Sequence, residues 1–427
     1  MSSILIQGGR VVSPADGFDG PLDVLVEDGL IRQVAPSITT PAEEALDVHG
    51  QVVAPGFIDL HVHLREPGGE ASETLETGLS AAVAGGFTAV CPMPNTLPVN
   101  DRPESTRFLI ERAGKLGLAR VFPIAAVSER SEGETLTDFR ALVEAGAVGF
   151  SDDGRPVKTT ELMRRAMEAA RALGVPVIDH CEDPKLSAGG LVNEGPVAER
   201  LGVKGIPNTS EEVCLARDLA LAEATGAHLH APHLSTAGAV EQVRAGRRRG
   251  IRVTAEVTPH HFSLTDEAVL KHGTNAKMNP PLRSRRDLDA VVQGLGDGTV
   301  DAIATDHAPH APALKAKSLV EAPFGVIGLE TALGLSLTYL VHSGRMTLGH
   351  LVELLSANPA RIINRPLGHL TAGGVADITV FDPNLEWTYS AERGRSRSRN
   401  SPFEGSKLTG AVTATIVGGR IVYRRAG

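Results

Sequence analysis

The sequence has few cysteines and no disulfide pattern. Its 427 residues include three, Cys91, Cys181 and Cys214, and none of them forms a CxxC pair. A disulfide framework of the kind that stabilises small secreted domains is therefore excluded. This cysteine usage is typical of a reducing compartment, so we expect the protein to be cytoplasmic.

Long apolar runs and an excess of positive charge are also missing. No apolar run reaches the length of about 18 residues that a membrane span needs, and the start, MSSILIQGGRVV, does not resemble a signal peptide. Acidic residues (51) outnumber lysine and arginine (42), giving a formal net charge of −9. Nucleic acid and anionic membranes are therefore poor candidate partners. The arginine-rich stretches 244–250 and 393–399 are interpreted as a solvated helix end and an exposed loop.

Glycine (46 residues) and proline (27 residues) are abundant but not periodic, which indicates many tight turns in a multi-strand α/β protein. Alternating segments such as ILIQGGRVV and DVLVEDGLIRQV predict strands near the N-terminus, and DITVFDP and GAVTATIVGGRIVY predict them near the C-terminus. The economical arrangement is a small β-sandwich built from residues 1–53 and 368–427. A larger domain, residues 54–367, is then inserted between its two parts.

The middle of the chain repeats another unit, in which an apolar run of strand length precedes a helical pattern. The runs are GFIDLHVHL, FTAVCPMPN, VFPIAAV, AVGFSDD, VPVIDHC, HLHAPHL, IRVTAEV and AIATDH. Several of the helical segments between them end in glycine, the usual helix stop. Eight such units over roughly 310 residues predict a (β/α)8 TIM barrel. The alternative is a doubly wound open sheet, which would more naturally carry a GxGxxG loop after its first strand, and no such loop occurs there.

Histidines and aspartates gather where these runs end, and the strand ends of such a barrel form its active site. His61 and His63 end the first run. Because alternate residues of a strand point the same way, both can bind one metal ion. The fourth run ends with Asp152 and Asp153, the fifth with His180, the sixth with His233 and the eighth with Asp306 and His307. Four histidines and two aspartates at one mouth suit two zinc-like ions that share a bridging carboxylate.

Motifs along most of the chain carry a family resemblance. They are GFIDLHVHLREPG (56–68), CPMPNTLP (91–98), GFSDDG (149–154), HCED (180–183), HLSTAGAV (233–240), TPHHF (258–262), KMNPPLR (277–283), ATDHAPH (304–310), APFGVIGLET (322–331) and the tail SPFEGSKLTGAVTATIVGGRIVY. In these motifs the chain resembles the amidohydrolase superfamily and, within it, the dihydroorotases of the bacterial long-chain type. The resemblance implies reversible interconversion of dihydroorotate and N-carbamoyl-L-aspartate, a step of de novo pyrimidine (UMP) biosynthesis.

The resemblance also implies a ligand set for two Zn²⁺ per subunit. His61, His63 and Asp306 are expected to bind the first ion, and His180 and His233 the second. Many relatives bridge the metals with a carboxylated lysine, but GFSDDG contains none, so Asp153 and a hydroxide are the expected bridges. Asp152 is the main alternative for the bridge. Lys158 is left out because we expect it on the following loop.

The expected mechanism follows from charge. Two zinc ions lower the pKa of a shared water, so that hydroxide attacks the ring carbonyl, and Asp306 shuttles the proton to the departing nitrogen. For the substrate carboxylate, Arg65 offers a bidentate fork, and Asn95 and His310 offer hydrogen bonds. With those that the resemblance adds, the expected substrate-binding residues are His63, Arg65, Asn95, Asn279, His310, Phe324 and Gly325. Taken alone, the asparagines could equally be turn residues, and Arg65 could be half of a surface ion pair.

Other functions remain open from the sequence. A hydantoinase or allantoinase would share the fold and the metals, but the missing lysine and the pair Arg65 and Asn95 favour dihydroorotate. A non-catalytic scaffold partner of aspartate carbamoyltransferase would lack metal ligands, whereas all six positions are filled here. The sequence does not decide between a monomer and the homodimer that is common among relatives, or between zinc, cobalt and manganese. We expect the segment 310–325 to be a lid, although it has Ala313 and Leu314 where relatives tend to have acidic residues.

Overall fold

Strands and helices alternate through the middle of the chain, and strands dominate both ends. The structure is a computed structural model that describes residues 2–426. In these residues the strands are β1 (Ser3–Gln7), β2 (Arg10–Ser13), β3 (Phe18–Pro21), β4 (Asp23–Glu27), β5 (Leu30–Ala35), β6 (Glu44–Asp47), β7 (Val52–Pro55), β8 (Phe57–Val62), β9 (Phe87–Pro92), β10 (Arg120–Val121), β11 (Ile124–Ala125), β12 (Gly149–Phe150), β13 (Val177–Ile178), β14 (Val192–Asn193), β15 (Gly205–Ile206), β16 (Leu229–Ala231), β17 (Val253–Val257), β18 (Ala302–Ile303), β19 (Ile378–Thr388), β20 (Lys407–Val417) and β21 (Arg420–Arg424).

The helices cover most of the connections between the central strands. They are α1 (Leu75–Ala84), α2 (Pro103–Leu116), α3 (Phe139–Glu144), α4 (Thr160–Leu173), α5 (Pro184–Ser187), α6 (Pro196–Leu201), α7 (Asn208–Thr225), α8 (Ala237–Arg248), α9 (Pro259–Ser263), α10 (Ala268–His272), α11 (Arg285–Gly296), α12 (Pro312–Lys315), α13 (Ala332–Ser336), α14 (Leu348–Leu355) and α15 (Ala357–Ile362). None of the helices in the described part of the chain has both the length and the apolar character that crossing a bilayer requires.

The two ends of the chain share one sheet. Its order is β21-β20-β19-β7-β2-β3, so it contains three C-terminal strands beside three N-terminal ones. The two sets meet where β7 pairs with β19 in antiparallel register. A second sheet has the order β5-β4-β1-β6. Apolar side chains of both sheets form one buried cluster, which includes Ile4, Ile6, Val11, Val53, Ile378, Val380 and Ile416. The prediction of β-structure at both termini is confirmed.

The central strands pair in parallel and in chain order. One sheet has the order β10-β9-β8, and another has the order β11-β12-β13-β16-β17-β18. An isolated parallel bridge between Val62 and His307 connects the region after β18 back to β8. Each of the eight apolar runs of the sequence contains one of these strands, with the third run split into β10 and β11. Because the strands are parallel, their carboxyl ends lie at the same edge.

The helix boundaries follow the sequence signals. Thr74 caps α1 by accepting a hydrogen bond from the backbone N–H of Thr77. Helices α4 and α7 end at Gly174 and Gly226, whose φ values of 73° and 69° are in the left-handed region that glycine adopts without a Cβ penalty. Both glycine stops were expected from the sequence.

Candidate active site

Six side chains meet at the carboxyl ends of the parallel strands. His61 is on β8 and His63 follows it, while Asp153, His180, His233 and Asp306 come shortly after β12, β13, β16 and β18. All six are buried. Asp153 Oδ1 lies 3.4 Å from His61 Nε2, 3.7 Å from His180 Nδ1 and 3.9 Å from His233 Nε2, and Asp153 Oδ2 lies 3.6 Å from His63 Nε2. One carboxylate therefore faces all four imidazoles.

Asp306 faces two of the same imidazoles. Its Oδ1 lies 3.1 Å from His63 Nε2 and 3.7 Å from His61 Nε2. Two overlapping groups have ligand atoms close enough together to hold a metal ion, and these are His61, His63 and Asp306, and His61, Asp153 and His233. Nitrogen and oxygen donors in this number suit zinc and similar divalent cations.

His61 gives an independent indication that a cation belongs here. Its side chain is 1% exposed, and within residues 2–426 neither ring nitrogen has a hydrogen-bond partner. Leaving a buried imidazole without partners is costly, and such groups call for an unseen ligand. The residues present therefore fit a metal ion.

The adjacent carboxylate, Asp152, is directed elsewhere. It accepts hydrogen bonds from the backbone N–H of Ser128 (3.0 Å) and from the hydroxyl of the same residue. Of the two aspartates of GFSDDG, only Asp153 lies among the histidines. Lys158, which the sequence analysis left out, has an exposed side chain that pairs with Glu134 at 3.2 Å.

Three residues of the site have left-handed backbone conformations. The φ values are 60° for Arg65, 36° for His233 and 46° for Asp306. A residue with a Cβ in this region costs about 1–3 kcal/mol, and such conformations cluster at functional sites. Each of them follows the end of a strand, where the change of backbone direction re-aims the side chain.

The second nitrogen of three of the histidines faces an acceptor. His63 Nδ1 lies 2.8 Å from Asn95 Oδ1, His180 Nε2 lies 3.1 Å from Glu182 Oε2, and His61 Nδ1 lies 3.4 Å from Glu256 Oε1. An acceptor at one ring nitrogen places the proton there and leaves the lone pair of the other nitrogen for a metal.

The sequence analysis did not identify Glu182 or Glu256. Glu182 follows His180 by two residues in HCED, and Glu256 is a carboxylate inside the otherwise uncharged strand β17. A charged residue within a buried strand is the signal that could have pointed to Glu256. Burial raises the pKa of Glu256, but the hydrogen bond with His230 and the contact with His61 outweigh this and lower it to about 2.

The site keeps both signs of charge near neutral pH. Burial alone would raise the pKa of Asp306, but the hydrogen bond with His63 and the charge of His61 outweigh it and hold the pKa below the usual range. Burial lowers the pKa of Arg65 to about 10, against the opposing effects of Asp306 and Asp153. The carboxylates and the guanidinium are therefore ionised together.

These groups open on a cavity of about 250 Å³. Its lining includes all seven expected substrate-binding residues, namely His63, Arg65, Asn95, Asn279, His310, Phe324 and Gly325. The fold therefore brings together residues that are up to 262 positions apart in the chain (63 to 325).

Two of the expected donors already have protein partners. Asn95 accepts from His63 through Oδ1 and donates to Asp153 through Nδ2 at 3.3 Å. His310 donates from Nε2 to the carbonyl oxygen of Phe324 at 2.7 Å. Burial, together with the charge of Arg65, lowers the pKa of His310 to about 3, so the ring is neutral near neutral pH and its Nδ1 is an acceptor. Asn95 Nδ2 keeps a second hydrogen, so its donor role stays a prediction. The neutral ring of His310 in this tautomer has no N–H left for the substrate and offers it an acceptor instead of the expected donor.

Arg65 is the expected substrate residue with the most donor capacity left. Its Nε donates to the carbonyl oxygen of Pro309 at 3.1 Å, and in the described residues no other hydrogen bond of its side chain is formed. The two terminal nitrogens remain available for a carboxylate.

Several histidines near the site have other roles. His307 Nε2 lies 3.2 Å from a carboxylate oxygen of Glu73. His261 lies between Thr258 and the carbonyl oxygen of Pro280. These contacts give both residues structural roles outside the ligand set.

Known proteins are similar to this chain over nearly its whole length. A family described as dihydro-orotase-like matches residues 50–239. The dihydroorotase of Syntrophus aciditrophicus (strain SB) is 52% identical over 423 residues, which are 99% of this chain and 99% of that protein. The chain belongs to the dihydroorotase family. The dihydroorotase of Solibacter usitatus (strain Ellin6076), another member, is 50% identical over 422 residues, 99% of this chain and 98% of its own.

Solved structures of similar fold support membership of the amidohydrolase superfamily. The L-hydantoinase (dihydropyrimidinase) from Arthrobacter aurescens has a TM-score of 0.90 and 26% identity, over 100% of this chain and 97% of its own. The dihydropyrimidinase from Brevibacillus agri NCHU1002 has a TM-score of 0.83 over 99% of this chain and 95% of its own, and at 23% identity it supports the fold alone. The resemblance to the dihydroorotases that the motifs indicated is confirmed, and the chain has an α/β fold like that of the hydantoinases.

Proposed function

We propose that the protein is a dihydroorotase, which interconverts dihydroorotate and N-carbamoyl-L-aspartate in de novo pyrimidine biosynthesis. The observation that carries the proposal is the meeting of four imidazoles around Asp153, with Asp306 and Arg65 at the same cavity. Relatives about half identical over the whole chain bear the name dihydroorotase. Ring opening of a cyclic amide needs an activated water, a proton carrier and a carboxylate clamp, and this cavity offers groups for each.

We further propose that the protein binds two Zn²⁺ per subunit. His61, His63 and Asp306 would hold one ion, His180 and His233 the other, and Asp153 would be shared. When bound, such a pair of cations supplies a water of lowered pKa and polarises a carbonyl group. The unpartnered nitrogens of His61 and the acceptors behind the histidines support this proposal.

Asp306 is the proton carrier of the proposed reaction. Its carboxylate is ionised near neutral pH, and its contact with His63 keeps it at the cavity. During ring opening it takes a proton from the attacking water and delivers it to the ring nitrogen as the amide C–N bond breaks. During ring closure it removes the proton from the carbamoyl nitrogen as that nitrogen attacks the side-chain carboxyl carbon of the aspartate, and it delivers this proton to the hydroxyl group that leaves the same carbon as water.

Arg65 binds the carboxylate that the substrate keeps throughout. Two parallel N–H···O bonds from a planar guanidinium fix both the position and the rotation of a carboxylate. We propose that this pairing directs the cyclic amide toward Asp153 and Asp306, since all three residues line the same cavity.

We also propose the complete architecture expected from the sequence. Residues 54–367 form a closed (β/α)8 barrel, and residues 1–53 and 368–427 form the β-sandwich. The sequential parallel order and the bridge from Val62 to His307 support closure, whereas a doubly wound sheet reverses its strand order. A cytoplasmic location, a homodimer and a complex with aspartate carbamoyltransferase stay predictions.

Substrate assays test the proposal directly. The metal-loaded protein should open dihydroorotate and turn over hydantoin and allantoin far more slowly. Efficient turnover of hydantoin without turnover of dihydroorotate would contradict the substrate assignment and favour a hydantoinase. As a matched variant, Asp152→Asn changes a carboxylate that lies outside the histidine cluster, and it should retain metal that Asp153→Asn loses.

Metal analysis distinguishes the proposed enzyme from a non-catalytic scaffold. A scaffold partner of aspartate carbamoyltransferase need not retain metal, whereas the proposed enzyme should hold close to two Zn²⁺ per chain after purification in zinc-containing buffer. A zinc content well below one per chain, together with absent turnover, would support the scaffold function instead. The filled set of six ligand positions favours the enzyme.

A further inference from the structure

Two buried lysines hold the segment 310–325, which ends at the cavity with Phe324 and Gly325. Lys315 belongs to the segment, and Lys277 contacts it from outside. Lys277 is 2% exposed and Lys315 is 5% exposed. Within residues 2–426, every hydrogen-bond partner of the two ammonium groups is a backbone carbonyl oxygen, and none is a carboxylate. Lysine is almost never fully buried without a counter-charge, so this pair calls for an explanation.

Lys277 holds the outer part of the segment. Its Nζ donates to the carbonyl oxygens of Leu319 at 2.7 Å and Ala322 at 2.6 Å, and it lies 3.4 Å from that of Val320. The same nitrogen lies 4.4 Å from the centre of the Phe324 ring, within the range of a cation–π interaction. A single ammonium group thereby ties together the stretch that leads to the cavity wall.

Lys315 holds the cavity wall itself. Its Nζ donates to the carbonyl oxygens of Pro323 and Gly325, both at 3.0 Å, and to that of Lys277 at 3.3 Å. The backbone N–H of Gly325 donates to the same carbonyl oxygen of Lys277 at 2.9 Å. The residues on both sides of Phe324 are therefore fixed by one side chain, and the carbonyl oxygen of Lys277 accepts from both Lys315 and Gly325.

The wall that the two lysines hold has little freedom to relax. Gly325 has a φ of +130°, and a Cβ at this position would lie 2.7 Å from the Cβ of Ala308 and 2.9 Å from its carbonyl oxygen. The carbonyl oxygen of Gly325 also accepts from Asn400 Nδ2 at 3.0 Å, and that of Phe324 accepts from His310. Because these contacts fix the backbone of Phe324 and Gly325, they define the shape of the cavity on this side.

The same lysines supply positive charge, and within residues 2–426 no carboxylate is hydrogen-bonded to either ammonium group. Charges in a poorly solvated region act over longer distances than charges in water. Arg65 is on the same side of the cavity, since its Nε donates to the carbonyl oxygen of Pro309, and the next residue, His310, donates to that of Phe324. The substrate proposed above is anionic, so this side of the cavity would attract its carboxylate.

We propose that Lys277 and Lys315 are positioning residues for the anionic substrate: their ammonium groups hold the backbone of Phe324 and Gly325 at the cavity wall and place positive charge behind the substrate carboxylate. The inference rests on the proposed function for its substrate. Its structural part, the fastening of 319–325 by two ammonium groups, does not depend on the reaction.

Steady-state kinetics of methionine variants test the role in binding. Lys315→Met and Lys277→Met keep the apolar stem and remove the donors and the charge. Lys317→Met is the matched control, because Lys317 is exposed on the same segment. We expect the KM for dihydroorotate to rise about tenfold in each test variant, the loss of one charge-assisted hydrogen bond, with kcat changed less than about threefold. A KM equal to that of the control in both variants would overturn the proposal.

The pH dependence of the unmodified protein provides a readout that needs no variant. Burial, with a smaller contribution from the charge of Lys277, lowers the pKa of Lys315 to about 7. His310 and Arg65 at the same cavity wall do not change charge between about pH 6 and 8, since the pKa of His310 is about 3 and that of Arg65 about 10. Raising the pH from about 6 to about 8 removes the charge of Lys315, so KM should rise, and this rise should be absent in Lys315→Met. The same pH dependence in both proteins would contradict the proposal.

Hydrogen exchange separates this inference from the proposed function. Backbone amides of 319–326 should exchange faster in Lys315→Met and Lys277→Met than in Lys317→Met, without any substrate present. If the unmodified protein fails to open dihydroorotate, the proposed function is wrong, and the exchange result still decides whether the lysines fasten the segment. Unchanged exchange in both test variants would refute the fastening.

Discussion

Replacing Glu256 by glutamine tests whether the carboxylate behind His61 organises the metal site. Glu256 is 1% exposed on β17, with Oε1 3.4 Å from His61 Nδ1 and Oε2 3.0 Å from His230 Nε2. Glutamine keeps the volume but removes the charge and replaces one acceptor oxygen by a donor. The substitution therefore changes the electrostatics behind His61 while leaving the packing of β17 nearly intact.

The expected magnitude follows from the ionisation of this carboxylate. Burial raises the pKa of Glu256, but the hydrogen bond with His230 and the contact with His61 lower it to about 2, so the group is charged at neutral pH. It favours the tautomer of His61 that carries the proton on Nδ1 and offers Nε2 as a ligand. Loss of such a supporting group typically weakens metal binding about 10–100-fold, which corresponds to about 1.4–2.7 kcal/mol.

The assay is a zinc titration of metal-free protein in competition with a chromophoric chelator. Glu241→Gln is the matched control, because Glu241 is exposed on α8 and pairs with Arg244 and Arg248 at the surface. Zinc affinity should fall about 10–100-fold in Glu256→Gln and stay unchanged in the control. If Glu256→Gln folds with an unchanged thermal midpoint and binds zinc as tightly as the control, the reasoning about His61 is refuted.

The remaining predictions concern the reaction and the cavity wall. Asp306→Asn should lower kcat about 10²–10⁴-fold, the usual contribution of a general acid–base, and a kcat near that of the unmodified protein in the dihydroorotate assay would exclude Asp306 as the proton carrier. Arg65→Met should raise KM for dihydroorotate about 10–100-fold through the loss of charge-assisted hydrogen bonds, and an unchanged KM would remove the carboxylate clamp. Gly325→Ala should lower the free energy of unfolding by about 1–3 kcal/mol, because its φ is +130° and Ala308 leaves no room for a Cβ; denaturant titration measures this, and an unchanged midpoint would contradict the close packing of the wall.

The fold could be predicted from the sequence because its signals are local. Each apolar run between glycine and proline turns contains one of the parallel strands, and the glycines after α4 and α7 end those helices. The pairing of the termini followed from the shared β-character of both ends, although the register of β7 with β19 did not. Register depends on which side chains meet across strands more than 300 residues apart in the chain, and a single sequence does not encode this locally.

The site could be predicted only as far as its ligands. His61 and His63 stand out by their spacing, and Asp306 by its position after an apolar run. The acceptors behind the histidines have no such pattern, because Glu256 reaches His61 from β17, nearly 200 residues further along the chain. Which of two adjacent aspartates faces the histidines was open for the same reason, since it depends on the contact of Asp152 with Ser128.

The distribution of charge around the cavity leads from the fold to an orientation for the substrate. The carboxylates of Asp153, Asp306, Glu182 and Glu256 all face the cluster of histidines. The cations Arg65, Lys277 and Lys315 instead contact the backbone carbonyls of residues 309 and 319–325. A cyclic amide with one carboxylate also has two different ends, an anionic end and an amide carbonyl. The charges therefore favour the pose in which its carboxylate faces Arg65 and its amide carbonyl faces the histidines. The reversed pose would bring the substrate carboxylate against Asp153 and Asp306, which would repel it. Only the first pose pairs the carboxylate with the cations, and in that pose a site rich in carboxylates can still bind an anion.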